Sequence, residues 1–219
     1  MTSEAAPPPL TGKAPTRARI LDAAANLMVT VGLTRTTTKE IARAAGCSEA
    51  ALYKHFRDKE EIFIRVLKER APRLSDALGE LSARAGRGEV AEHLREVTRI
   101  AVAFFRQSFA MGASLFASPD LLAAHRRRLA EDGTGPHEMP RLLADYLRAE
   151  QALGRLSADI DPDAAAALLI GACFHRAFLT LFYAEEAPEG ALCPEGEEEF
   201  VVEAVRALLK GIAPEADRA

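Results

Sequence analysis

Between Thr36 and Glu61 the chain reads TTTKEIARAAGCSEAALYKHFRDKEE, and the helix starts and the glycine stop within it leave little freedom in how it folds. Thr37 followed three residues later by Glu40 is a capping box: the threonine oxygen accepts from an early amide while the glutamate reaches back to the threonine amide. A second helix therefore starts there. Its Ile41, Ala42 and Ala45 share one side, and Gly46 supplies the left-handed residue that a sharp helix end prefers. Ser48 caps a third helix, on which Leu52 and Phe56 lie four apart while Glu49, Ala50, Tyr53 and Lys54 lie on or near the other face. Asp58 and Glu61 repeat the capping-box spacing and start helix four at Lys59. Ahead of all this, Ile20, Leu21, Ala24, Leu27, Met28 and Val31 mark the buried stripe of helix one, which Gly32 ends.

A short helix, a glycine turn and an outward-facing short helix form a helix-turn-helix, whose second helix enters the major groove of DNA. The residue types suit that placement. Ala50 and Ala51 let the backbone approach the groove, and their methyls can meet thymine methyls. Tyr53, Lys54, His55 and Lys59 can reach phosphates, as can the caps Thr37 and Ser48, because helix amino termini favour anions. Arg43 on helix two and Arg17 at the start of helix one are further candidates for backbone or base contact. Lys and Arg outnumber Asp and Glu between residues 13 and 70 although the whole chain carries a net charge of −4, so a basic module precedes an acidic body. Short capped helices with a glycine between them also occur in other all-helical proteins. The spacing alone therefore leaves open a helical protein-interaction module or a helical enzyme.

The order Arg19-Ile20-Leu21-Asp22-Ala23-Ala24, Gly32, Thr37, Glu40-Ile41-Ala42, Ala45-Gly46-Cys47-Ser48, Leu52-Tyr53-Lys54-His55-Phe56 and Lys59-Glu60 resembles the amino-terminal domain of the tetracycline-repressor (TetR) family of bacterial transcription regulators. The resemblance runs through residues 16 to 66. Two positions depart from the family pattern: Cys47 stands where valine is common, and Ala50-Ala51 where glycine and threonine are frequent. The resemblance implies an all-α protein, with a three-helix DNA-binding domain joined by helix four to a carboxy-terminal effector-binding and dimerisation domain. It places Thr37, Ser48, Ala50, Ala51, Tyr53, His55 and Lys59 where family members contact operator DNA. It implies a repressor that a small-molecule effector releases from a near-palindromic operator, with no catalytic role.

The rest of the chain agrees with that outline. The expected divisions are a disordered arm over 1–12, the DNA-binding domain over 13–60 and the helical body over 61–219. A length of 219 residues and a hydrophobic fraction of 48% suffice for both modules. Cys47, Cys173 and Cys193 show no paired spacing, and the proline-rich start lacks an apolar stretch of signal-peptide length, so reduced thiols in the cytoplasm are expected. The longest apolar run, from Ala164 to Phe174, is too short to cross a bilayer. Helix four is expected to run on through Leu74, Leu78 and Leu81, kinked or ended at Pro72. Further helices are expected over Val90 to Ala110, from Ser118-Pro119, over Glu138 to Leu153, over Asp161 to Glu185 and over Glu197 to Gly211.

The last two of these, the eighth and ninth in the expected order, carry an excess of apolar residues. A homodimer through them, with Leu168, Ala172, Leu179, Val201, Val205 and Leu208 at the interface, would cover the excess in a four-helix arrangement. The resemblance points to the same pair. An effector pocket, for a partly apolar small molecule, is expected around Phe104, Phe105, Phe109, Phe116, Tyr146 and Phe178, with His175 and Arg176 to orient an anionic or carbonyl-bearing group; core packing accounts for the aromatics equally well. No cofactor or metal is expected. Cys173 and His175 lie two apart, about 200° around a helix, so they cannot share one ion. Asp159, Asp161 and Asp163 lack the glycine and glutamate that would complete a calcium loop.

Overall fold

The computed structural model describes residues 14–32, 35–70, 74–131, 133–184, 186–192 and 194–212, and every regular element among them is helical. The expected arm over 1–12 and Cys193 lie outside the described residues. The chain divides into two compact units, one ending at Arg70 and one starting at Ala71. That division falls ten residues beyond the expected 60/61 boundary, because helix four packs against helix one and so goes with the first unit.

The first unit holds α1 (Thr16–Thr30), α2 (Thr38–Ala44), α3 (Glu49–Tyr53) and α4 (Lys59–Arg70). Thr37 accepts from the Glu40 amide at 3.2 Å while the Glu40 carboxylate accepts from the Thr37 amide at 2.9 Å, so the capping box is complete. Those bonds hold the Glu40 carboxyl below its ordinary proton affinity. At the other end of α2, Gly46 has φ +64°. Its amide reaches the Arg43 carbonyl and the Cys47 amide reaches the Ala42 carbonyl, the paired bonds of a Schellman stop. Ser48 accepts from the Ala51 amide at 3.1 Å and opens α3. The repeat at Asp58 is only half a box. Asp58 accepts from the Glu61 amide, but the Glu61 carboxylate takes the amide and the guanidinium of Arg57 instead of the Asp58 amide. Ile20, Leu21, Ala24 and Met28 of α1 are buried with Ile41, Leu52, Phe56, Ile62 and Phe63. Val31, expected in the buried stripe, is exposed because α1 stops one residue before it and leaves it as the cap.

The second unit holds α5 (Leu74–Leu81), a 3-10 turn over Ser82–Arg84, α6 (Val90–Phe116), α7 (Pro119–Glu131), α8 (Glu138–Ala152), α9 (Pro162–Tyr183) and α10 (Glu197–Ile212). The expected helix four is thus two helices, α4 and α5, lying on either side of Pro72 in sequence. The expected eighth and ninth helices are α9 and α10. α6 runs six residues past its expected end, since a lone Gly112 does not stop a helix and no proline follows until Pro119. Asp161 caps α9 by accepting from the Asp163 amide at 2.9 Å, with Pro162 in the first turn.

α6 and α9 pack along each other, with α8 and α10 also against α9 and α5 against α6 and α8. Small residues of α9, Ala165, Ala166, Cys173 and Ala177, face this core and admit Leu94, Val97 and Ala101 of α6 and Leu143 and Leu147 of α8. Burial pushes the Cys173 thiol up to about 12, so it stays protonated. By length and composition α9 could cross a membrane. Its packing on three neighbours and a buried Arg176 mark it as the central helix of the body.

Candidate nucleic-acid interface

Leu52 and Phe56 anchor α3 in the core, each contributing about 2 kcal/mol by burial, and this turns the opposite side of the helix outward. Ser48, Ala50, Tyr53, Lys54 and His55 are exposed on that side, Tyr53 to 50%. Thr37 and Arg43 on the preceding helix are exposed as well. A surface results that is small at its centre, aromatic beside it and basic at its edge. Such a surface lets a helix backbone approach base edges while cations meet the phosphates.

Three expected contacts are placed less openly. Ala51 is half-buried, its amide committed to Ser48, and Lys59 is half-buried at the start of α4. Arg17 grips the Glu69 carboxylate with both terminal nitrogens, at 2.7 and 2.5 Å, and lies over the Phe56 ring at 5.6 Å. It braces α1 against α4 and presents a guanidinium already occupied.

Two residues of this surface escaped sequence reasoning as a functional pair. Thr38 donates its hydroxyl proton to the Glu49 carboxylate at 2.6 Å, and the Tyr53 hydroxyl lies 3.3 Å from the same threonine oxygen. The bond joins the first residues of α2 and α3 across eleven positions. No periodicity or cap signal reports it.

In the second unit the expected effector residues separate into three places. Phe104, Phe105, Phe109 and Phe178 belong to one aromatic row that also takes in Phe174 and Phe182, with neighbouring ring centroids 5.3 to 5.6 Å apart. Phe116 and His175 are exposed. Tyr146, expected in a pocket wall, is instead fully buried in the core, where it shares a polar cluster. Its hydroxyl meets His93 Nδ1 at 2.9 Å, and burial, with the nearby Glu150 second, raises the phenol's proton affinity. Glu150 is itself 0% exposed. It accepts from the Gly86 amide at 3.3 Å and sits 3.2 Å from the Arg155 guanidinium, which in turn donates to the Gly88 carbonyl. This cluster ties the turn between α5 and α6 to the end of α8. Arg176 likewise serves the structure: its guanidinium donates to the carbonyls of Pro194 and Glu195 and lies over Phe200.

His93 gives the cluster a pH signature. Desolvation, with the Arg84 charge second, lowers its proton affinity, while Glu150 and Glu96 oppose the shift. The unfolded chain then binds more protons than the folded one as pH falls through the ordinary histidine value of about 6.5, so stability drops on the acid side. Urea melts at about pH 7.5 and about pH 5.5 are expected to show a lower midpoint in acid, and a smaller drop in His93→Gln. Equal drops in the two proteins would show that other groups govern the effect.

Of the expected dimer residues, Leu168 and Ala172 of α9 and Leu208 of α10 line one open apolar groove of about 580 Å³, shared with Ala164, Ala204 and Gly211. Leu168 is 69% exposed. Leu179 is half-buried. Val201 and Val205 are corrected: both are fully buried, because that face of α10 packs inward against α6. Among the described residues no group of three His, Cys, Asp or Glu side chains converges as a metal site would require.

Residues 20–66 match the model of the bacterial regulatory proteins of the tetR family, and residues 92–211 match that of the AefR-like transcriptional repressor carboxy-terminal domain. The HTH-type transcriptional regulator YvkB of Bacillus subtilis (strain 168) is 46% identical over 55 residues, which are 25% of this chain and 29% of YvkB. The chain thus spans less than a third of that relative's length. In three dimensions a TetR-family regulator from Mesorhizobium loti MAFF303099 aligns with a TM-score of 0.69 at 23% identity, over 93% of this chain and 99% of its own. SmeT, the repressor of the Stenotrophomonas maltophilia multidrug efflux pump SmeDEF, aligns at 0.68 and 20% identity, over 93% of both chains. These two likenesses establish the fold. With its helix-turn-helix matched at one end and more than half its length matched by the repressor body domain, the chain belongs to the TetR family of bacterial transcription regulators.

Proposed function

We propose that the chain is a homodimeric transcriptional repressor that reads a near-palindromic operator and leaves it when a small molecule binds the body. The observation that carries the reading is the exposed face of α3, with Ala50, Tyr53 and Lys54 outward and the helix fixed from behind by Leu52 and Phe56. A five-residue helix with a small, aromatic and basic outer face suits a groove edge. Thr37, Arg43, Ser48, His55 and Lys59 add phosphate contacts around it, and Arg17 adds one if Glu69 releases it. The protein acts in the cytoplasm by binding, without turnover.

Pairing of two copies follows from the groove between α9 and α10, whose apolar lining is left open in one copy. A second copy would cover it, with Leu168, Ala172, Leu208 and the half-buried Leu179 at the contact, and would set two recognition helices roughly 34 Å apart, one groove turn. The effector is partly apolar and works through the aromatic row of α6 and α9, with the exposed His175 available to a polar group. SmeT has been solved as a complex with triclosan, an instance of such a ligand in a similar fold. To turn an operator from nearly full to nearly empty, the effector must favour the released form by roughly 5.5 kcal/mol. The chain connection through α4 is the route by which a change in the body reaches α3.

A gel shift of the full chain on its own upstream DNA tests the reading. Wild type is expected to give salt-sensitive retardation of one duplex and not of a scrambled one. Tyr53→Ala is expected to weaken it by about tenfold to a hundredfold, the loss of a hydrogen bond to a charged group. Equal retardation of every duplex, or an unchanged shift in the variant, would defeat it.

A further inference from the structure

We infer that Glu49 is a specificity-determining residue that reads a cytosine, and that Thr38 is the residue that positions it; this rests on the operator-binding reading above. A carboxylate on a DNA-facing helix is out of place electrostatically, because phosphates repel it. Glu49 nevertheless occupies the first position of α3, next to the exposed Ala50, on the surface through which α3 would enter the groove. In the major groove the group that rewards a carboxylate is an amino donor, and cytosine N4 offers one with no acceptor beside it. Guanine turns two acceptors toward the same place and is refused.

The geometry around Glu49 shows how its aim is set. Thr38 has one hydroxyl proton and gives it to Glu49 Oε1 at 2.6 Å. At the 3.3 Å contact the Tyr53 hydroxyl must then be the donor and Thr38 the acceptor. Protons therefore run in one direction, from Tyr53 to Thr38 to Glu49. This fixes Oε1 and leaves Oε2 as the acceptor for a base, on a side chain whose swing is restrained before DNA arrives. Pre-orientation of this kind lets one carboxylate discriminate between bases, since a freely turning one would find water as readily as a base. It also leaves the two readouts independent. When Tyr53 redirects its proton to a phosphate, Thr38 still holds Glu49 through its own proton.

The remaining acidic group at the start of this pair of helices, Glu40, is held on its own cap by the Thr37 amide and hydroxyl, and lies on the helix that precedes α3 and not on the one that enters the groove. Glu49 is thus the carboxylate of this surface that remains for base recognition, held by a neighbour that sequence spacing does not reveal.

The test is selection of sequences by the full-length protein from a random duplex library, followed by anisotropy titration of every single-base change in the selected half-site. Wild type is expected to prefer cytosine at one half-site position by about tenfold or more over other bases. Glu49→Gln is expected to lose that preference at that position alone, since an amide offers a donor as well as an acceptor. Thr38→Val should weaken the same preference while leaving the salt slope of binding unchanged, and Thr38→Ser should restore it. Lys54→Ala is the contrast: weaker binding to all sequences and a salt slope smaller by about one. Preservation of the full wild-type profile in Glu49→Gln would overturn the assignment, as would a Thr38→Val variant whose loss is uniform across sequences. Failure of wild type to select any sequence would instead overturn the operator-binding reading, and the assignment with it.

Discussion

Leu168→Glu is expected to leave the chain folded but monomeric, and to lower its affinity for a two-half-site operator by about a hundredfold or more. Leu168 stands 69% exposed on α9, on the wall of the groove it shares with Ala172 and Leu208, so a charge there can stay in water within one copy. Between two copies it would bury a carboxylate without a partner, which a small apolar interface cannot absorb. The effect on DNA follows from connection rather than contact. Once one half-site is occupied, the second binding event in a dimer is intramolecular, and that linkage is worth about 10² to 10⁴ in affinity. Sedimentation of both proteins, paired with titration on a full operator and on a single half-site, measures this. The half-site affinity should be equal in the two proteins. A Leu168→Glu protein that stays dimeric would place the contact elsewhere.

Glu150→Ala is expected to cost about 3 to 5 kcal/mol of stability, the usual consequence of removing one partner from a buried ion pair. The fully buried carboxylate accepts from the Gly86 amide and pairs with the Arg155 guanidinium. Removing it leaves the Gly86 amide unmet and the Arg155 guanidinium without its counter-charge, and frees the α5–α6 turn, where Gly86 and Gly88 adopt φ of +76° and +59°. Glu150→Gln should cost less, because an amide oxygen still accepts from Gly86 while the charge facing Arg155 is lost. Chemical denaturation of the three proteins gives the ranking. A loss below about 1 kcal/mol in Glu150→Ala would mean that water enters the cluster and replaces the carboxylate.

What the sequence disclosed and what it concealed divide along the range of the interactions. Thr37 with Glu40, Gly46 and Ser48 were legible because each acts on close neighbours in sequence: the two caps make their expected bonds and Gly46 takes the left-handed backbone. Asp58 and Glu61 had the same spacing, yet a rival one residue further back, the Arg57 backbone and side chain, took the glutamate. Tyr146 reads as an aromatic pocket residue until His93, 53 positions away, is brought to its hydroxyl. Val201 and Val205 look like interface residues because an amphipathic helix does not say which of two apolar neighbours, its own body or a second copy, its stripe will meet. Glu49 and Thr38 were the least legible. Two polar residues at two helix starts carry no pattern until the crossing of the helices sets them side by side.

The brevity of α3 sets a limit on what can be taken from it. A stretch of five residues, Glu49–Tyr53, lies far below the length at which an isolated helix persists in water. Its shape is borrowed from the Gly46 turn and from the insertion of Leu52 and Phe56. A synthetic peptide of this segment would therefore be a coil with no preference among duplexes, and a lesion in the hydrophobic interior behind it would silence the regulator as completely as one on the surface.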